Sequence, residues 1–228
     1  MIAAIHQPNF IPWIGYFYKM LKSDCFVFLD DVQYIRRGFT ARVKIKTPQG
    51  ENWLTAPVKK KGRYHQSVSE VELETGDIWK KKILGTLQSS YGKAPHFKTY
   101  FPGLETILQN EHHRLAELNI ELIKWLAQIL KINTPMVKSS EMAGINGQSS
   151  ERLVGICKAV GASRYLSGFG GQKYQEEEIF KENGIELAVY DFKHPEYPQL
   201  WGDFIPGLSA VDLLFNCGPQ SAGVLRNI

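Results

Sequence analysis

Two short apolar runs constrain this chain more than any other feature. The first spans 2–5, prolines break the chain at Pro8 and Pro12, and an amphipathic stretch reaches about Lys22; the second run spans 25–29 and is closed by Asp30-Asp31. Unalternating apolar runs joined through a helix do not make a hairpin. They call for a parallel pair with a crossover, the βαβ unit. Pro12 suits the first position of the helix, and Trp13, Phe17, Met20 and Leu21 recur at helical spacing.

The same alternation resumes far downstream, with a strand over 134–137, a helix over 151–160, a strand over 164–166, a helix over 176–182 and a strand over 186–190. Between the two halves the texture differs. Residues 41–46 and 53–58 flank the turn Pro48-Gln49-Gly50 and read as a hairpin. Residues 68–73 alternate again, and 78–91, 97–109 and 115–130 carry helical periodicity. A helix near 208–215, then Asn216-Cys217-Gly218-Pro219 and a short final helix, form the tail. The expected fold class is α/β: a Rossmann-like parallel sheet with a long insertion containing a β-hairpin and helices. The chain reads as one domain over 1–228, its α/β core at 1–34 and 133–228 and its insertion at about 35–132.

With 228 residues, 43% hydrophobic and 22% charged, wholesale disorder is excluded. The net charge of +4 is uneven. Arg36, Arg37, Arg42, Lys44, Lys46, Lys59, Lys60, Lys61 and Arg63 are opposed only by Glu51 between residues 36 and 66, a net of +8 that leaves the remainder at −4. Arg42, Lys44 and Lys46 fall on one side of a strand, either as a solvated face or, with Arg36-Arg37 and Lys59-Lys60-Lys61, as a surface for phosphate groups. Trp53, Tyr34 and Tyr64 are near enough in sequence to stack on a base or sugar.

Three cysteines without CxxC spacing argue against a secreted disulfide framework. The N-terminal apolar run is too short for a signal peptide, and no membrane-length apolar stretch occurs. A cytoplasmic location is expected, with peripheral membrane contact through the basic stretch left open. The oligomeric state is not legible.

In an open parallel sheet, ligands gather at the carboxyl ends of the strands. Those ends carry His6-Gln7-Pro8-Asn9, Asp30-Asp31-Val32-Gln33-Tyr34, Ser139-Ser140-Glu141, Ser167-Gly168-Phe169-Gly170-Gly171, and Asp191 with His194. His6 enters a loop before a helix N-terminus, where it either moves a proton, bonds a phosphate or fixes the loop. Asp30 and Asp31 are adjacent and point to opposite faces, so one serves as general base or cation ligand while the other caps a turn, or both form a solvated turn. The glycine turn before a helix near Tyr174 lets backbone approach a ligand, but it matches neither phosphate-loop nor dinucleotide spacing. The six histidines include no HxxxH or HExxH, so no metal site is expected, and His112-His113 are neighbours about 100° apart on a helix. Cys25 reads as core. Cys217 is a conceivable exposed thiol without a histidine partner.

The string from Ile5 to Lys19, then Ser23-Asp24, Phe28 to Tyr34, Arg37-Gly38, Arg42, Ala56 to Lys59, the region from Tyr165 to Gly171 with Tyr174, and Val211-Asp212 to Phe215-Asn216 resemble the WbqC-like family along essentially the whole chain. The resemblance implies a place in bacterial surface-polysaccharide (O-antigen and capsule) biosynthesis, as a transferase moving a glycyl, aminoacyl or other small acyl group onto a sugar. The expected partner is a phosphorylated or nucleotide-activated sugar. On this reading His6 or Asp31, with Asp30 beside it, accepts the proton of the attacking amine or hydroxyl. Lys19, Arg37, Arg42 and the helix N-terminus after Pro12 hold phosphate. Gln7, Asn9, Gly15, Tyr16, Gln33 and Tyr34 bind substrate, and Gly168, Gly170, Gly171 and Tyr174 shape the acceptor pocket. No particular cofactor is implied.

Two other readings stand beside it. His6, Pro8, Phe10, Gly15 and Tyr16 are similar to the strand–loop–helix of nucleotidylyltransferases and pantothenate synthetases, with Tyr16 where the second histidine of an HxGH signature falls. That suggests a nucleotidyl or adenylate-forming transferase. The basic hairpin alternatively suggests a nucleic-acid or scaffold-binding module, whereas the transferase reading expects no nucleic acid.

Overall fold

The computed structural model describes residues 1–168 and 175–228. In chain order the elements are β1 (Ile2–His6), α1 (Ile14–Leu21), β2 (Cys25–Phe28), β3 (Arg42–Thr47), β4 (Gly50–Thr55), α2 (Ile78–Tyr91), α3 (Phe97–Gln109), α4 (Leu115–Ile129), β5 (Met136–Lys138), α5 (Ser149–Ala159), β6 (Arg164–Ser167), α6 (Glu177–Glu182), β7 (Glu186–Val189), α7 (Ala210–Cys217) and α8 (Ser221–Arg226).

Five strands form one sheet in the order β5-β2-β1-β6-β7, and every pairing in it is parallel. The chain starts in the middle, winds outward through β2 and β5, then crosses back to add β6 and β7. The direction of winding therefore reverses between β1 and β6, the position where Rossmann-like sheets open a crevice. The α/β expectation holds. β2 is buried along its whole length, as a strand covered on both faces requires.

Side-chain alternation splits the interior into two layers. Ala3, Ile5, Cys25, Val27 and Tyr165 face α5 and α6 through Val154, Ile156, Cys157 and Phe180. Their neighbours Ala4, Phe26, Phe28 and Leu166 face the opposite way, into a larger cluster that also takes in α1, the β3–β4 hairpin, α2, α3, α4 and α7. Helix α1 is buried from Ile14 through Met20. Apolar positions on all its sides are covered, and the one cation among them, Lys19, is carried inside with them.

Several local expectations shift. Helix α1 begins at Ile14 rather than Pro12, because Trp13 stays extended (φ −73°, ψ 165°) and bridges Ser209. The Pro12 carbonyl accepts the Ala210 N–H at 2.8 Å. The alternation at 68–73 is not a strand. Val68–Glu70 is a 3₁₀ turn closed by a Ser67/Glu70 capping box, followed by isolated bridges from Glu72 to Arg114 and Leu73 to Val58.

Lys46 does not share the exposed face expected for it. It is 1% exposed, with Nζ donating to Gln199 Oε1 (3.2 Å), Gly202 O (3.2 Å) and Asp203 O (2.5 Å). Cys217, expected as a possible exposed thiol, is buried, as are Cys25 and Cys157. Among the described residues no helix is long and apolar enough to cross a membrane.

Candidate functional site

The register between β1 and β6 ends at Ala4↔Leu166, while that between β1 and β2 continues to His6↔Phe28. Beyond Ala4 the two central strands part. Ile2 O and His6 O accept N–H groups from Asp24 and Leu29 on the β2 side, so alternation along a strand turns Ile5 O toward β6. There Lys19 Nζ reaches down from α1 and donates to Ile5 O at 2.8 Å. The parting opens a cavity of about 420 Å³, floored by Ile5, His6 and Lys19 and bounded by Gln7 and by Ser167 and Gly168 at the end of β6. Its walls are aromatic, with Trp13 and Tyr16 from the α1 side, Tyr165 from β6, and Tyr190 and Phe192 after β7. The volume falls within the range of small-molecule sites.

Burial sets the charge state of both basic groups in the cavity. Desolvation, then the nearby Lys19, lowers the His6 pKa to about 4, so the imidazole is neutral near pH 7. Its Nδ1 lies 3.0 Å from Gln7 O and must donate to that carbonyl, which leaves Nε2 as the lone-pair nitrogen. Tyr16 OH donates to the same carbonyl at 3.2 Å, and its ring meets the imidazole edge at 4.8 Å between centroids. Desolvation also lowers Lys19 to about 7, opposed by the Cys157 thiol. A substantial fraction of Lys19 is therefore the free amine at neutral pH, a state an exposed lysine hardly populates. Its Nζ lies 5.5 Å from the centre of the Tyr165 ring.

The remaining predicted residues are distributed as follows. Gly15 supports the wall, since an added Cβ would come within 2.3–2.7 Å of the Trp13 ring. The indole thus lies over the first turn of α1, where phosphate was expected. Asn9 is buried beneath the loop, Gln33 is exposed on a bridge to Ser67, and neither lines this cavity. Gly170, Gly171 and Tyr174 lie outside the described residues.

Asp30 and Asp31 are not brought together with His6 in the cavity. Asp30 is 2% exposed and accepts from Ser140 N (3.0 Å) and Ser140 Oγ (2.7 Å). Asp31 pairs with Arg152 on α5 and accepts from Ser139 Oγ at 2.6 Å. Both carboxylates lace the ends of β2 and β5 and the start of α5 together. They share one partner, since Ser139 Oγ lies 3.3 Å from Asp30 Oδ1 as well as 2.6 Å from Asp31 Oδ1, and otherwise diverge to Ser140 and Arg152.

Arg37, Arg42 and Tyr34 line a second cleft of about 550 Å³ with Arg36 and Lys60. It shares no lining residue with the first. One loop separates the two, since Gln7 Oε1 accepts Thr40 Oγ1 at 3.0 Å, just before Ala41 and Arg42. Among the described residues no three His, Cys, Asp or Glu side chains gather as a metal site.

The WbqC-like protein family model matches residues 7–223. The chain belongs to the WbqC-like family. This WbqC-like chain is also 37% identical over 225 residues to uncharacterized protein Rv1507c of Mycobacterium tuberculosis (strain ATCC 25618 / H37Rv), covering 98% of this chain and 96% of that one. No solved structure matches it. For the WbqC-like protein, the sequence string that carries the family resemblance supplies the cavity lining at Ile5, His6, Gln7, Tyr16 and Lys19. Sequence reasoning missed the walls formed by Trp13, Tyr190 and Phe192. The available signal was positional, since Tyr190 and Phe192 follow β7 at two-residue spacing and so turn to one side.

Proposed function

We propose that this WbqC-like protein is a cytoplasmic transferase of surface-polysaccharide biosynthesis, moving a small glycyl, aminoacyl or acyl group onto an activated sugar held in the cavity between β1 and β6. Family membership supports the biosynthetic setting. The observation that carries the reaction type is a lysine brought to a pKa of about 7 beside a neutral histidine, inside an aromatic-walled cavity at the sheet's winding reversal. Aromatic faces suit the C–H faces of a sugar ring.

In the proposed step the acceptor amine or hydroxyl attacks the carbonyl carbon of the acyl donor. The new C–N or C–O bond forms as the bond to the leaving group breaks with its electron pair. Lys19, as the free amine, takes the acceptor's proton and returns it to the leaving group. A pKa near the working pH makes Lys19 a better base than His6, whose imidazole binds a proton only near pH 4. His6 Nε2 is then a hydrogen-bond acceptor that orients the attacking group, and the proton-accepting role expected for His6 or Asp31 is assigned to Lys19 in this proposal.

The test pairs a panel of nucleotide-sugars with glycyl, aminoacyl and acyl donors and reads the product by mass spectrometry. Turnover in the wild type that falls about 10²–10⁴-fold in Lys19→Met supports the reading. Turnover at the wild-type rate in that variant removes Lys19 from the chemistry.

A further inference from the structure

The folded chain sorts the nine cations of the basic stretch. Lys44 pairs with Glu51 at 2.5 Å, and Lys59 and Arg63 share Glu72 at 2.7 and 2.5 Å. Lys46 is committed to the 199–203 loop. Of the five left without a carboxylate among the described residues, Arg36, Arg37, Arg42 and Lys60 converge on the second cleft, and no described acidic residue lines it. Lys61 stands exposed beside it.

Two of the four are held in place for use. The Arg42 guanidinium stacks on Trp53 with 4.1 Å between its carbon and the ring centre, and its Nε is buried with no hydrogen-bond partner among the described residues. Stacking fixes the plane of the fork while leaving its donors unspent. Arg36 lies 4.6 Å from the Tyr64 ring centre and is steadied by the carbonyls of Lys60 (3.2 Å) and Arg63 (3.4 Å). Arg37 adopts φ +61°, an unfavourable backbone conformation for a residue with a Cβ, at the lip of the cleft. A buried donor without a partner and a strained backbone at one concave site mark a place where a ligand completes the structure.

We propose that the cleft between Arg36, Arg37, Arg42 and Lys60 binds the diphosphate group of a small molecule. Four cations with no opposing carboxylate exceed what one orthophosphate neutralises, and about 550 Å³ has room for two linked phosphates with part of their substituent. The inference deepens the transferase reading by assigning the phosphates of the activated sugar, and its charge argument does not depend on the reaction.

Calorimetric titration of the full chain with inorganic pyrophosphate tests it. Arg42→Gln and, on the exposed loop where folding is not at stake, Lys60→Gln each weaken binding; the loss at Arg42 reaches about 10- to 100-fold. Lys44→Gln, which removes an equal charge outside the cleft, and Lys19→Met, which disables the other cavity, leave the affinity unchanged. Absence of pyrophosphate binding overturns the proposal, as does equal weakening by Lys44→Gln, which marks diffuse attraction. An oligoribonucleotide that binds far more tightly than pyrophosphate, with a steep salt dependence, also overturns it and assigns the face to a polymer. Binding that survives while Lys19→Met keeps full turnover sinks the proposed chemistry but not the cleft.

Discussion

Lys19 and His6 meet the same burial penalty with different results. The imidazole is pushed to about 4 and becomes a spectator of neutral-pH proton exchange, whereas the amine is pulled from 10.5 to about 7, into its midst. The transfer rate is therefore expected to rise through a midpoint near pH 7 as Lys19 loses its proton. Lys19→Arg separates the base from the tether. Arginine keeps a donor for Ile5 O but cannot deprotonate, so the rate per folded molecule is expected to fall about 10²–10⁴-fold, with a loss of stability because the buried site then holds a permanent charge. Recovery of the rate in Lys19→Arg would mean the residue serves only to hold the strand. His6→Ala lowers the rate but leaves the midpoint in place, and a midpoint that moves with His6 contradicts the assignment. The sequence named both residues because both leave the first βα unit. It offered no sign that Lys19 is buried, since that depends on α1 being covered from every side by elements distant in the chain.

At the level of elements, the first turn of α1 and the link between β2 and β5 each rest on one substitution-sensitive position. Gly15→Ala drives a methyl group into the Trp13 indole. The ring is expected to lift from the cavity wall at a cost of about 1–3 kcal/mol, read as a lower denaturation midpoint; an unchanged midpoint would show that the helix start yields freely. Asp30→Ala strips the partners from Ser140 N and Oγ and should cost about 1–3 kcal/mol. Turnover per folded molecule should nonetheless persist, and its loss would restore Asp30 to the chemistry. Strands and helices were legible where local period and burial agree, as at 78–91 and 97–109. The segment 68–73 misled because Val68, Val71 and Leu73 are buried at mixed spacing. The overlooked clue was Ser67-x-x-Glu70, a capping box in plain sequence. The Asp30-Asp31 pair was legible as a strand end but not as a clasp, because Ser139, Ser140 and Arg152 arrive from more than 100 residues away.

Across the whole molecule, two distant buried groups oppose each other in acid. Asp212 of α7, which accepts from Tyr91 OH at 2.9 Å, is raised by desolvation to about 6. As pH falls from about 6 toward 3.8 the folded state takes up a proton there that the unfolded state does not, and stability rises. His6 does the reverse. Between pH 6.5 and about 4 the unfolded chain binds the proton first, and stability falls. Denaturation midpoints over pH 4–6.5 should thus climb toward acid in His6→Ala and drop more steeply than wild type in Asp212→Asn. Parallel profiles for the two variants would refute the linkage. The parallel sheet was legible as a class, from strand–helix alternation, but its strand order was not. The basic stretch follows the first βα unit directly in sequence, yet it lines a separate cleft, which only the folded chain reveals.

The contact between Lys19 and Ile5 O persists in either protonation state, with the charged donor making the stronger bond. An ammonium offers three N–H groups and a free amine still offers two, so one always remains for the carbonyl while the other positions gain or lose the travelling proton. The gap in the sheet stays bridged through a full cycle of proton uptake and release, and the reactive nitrogen never has to let go of the scaffold that aims it.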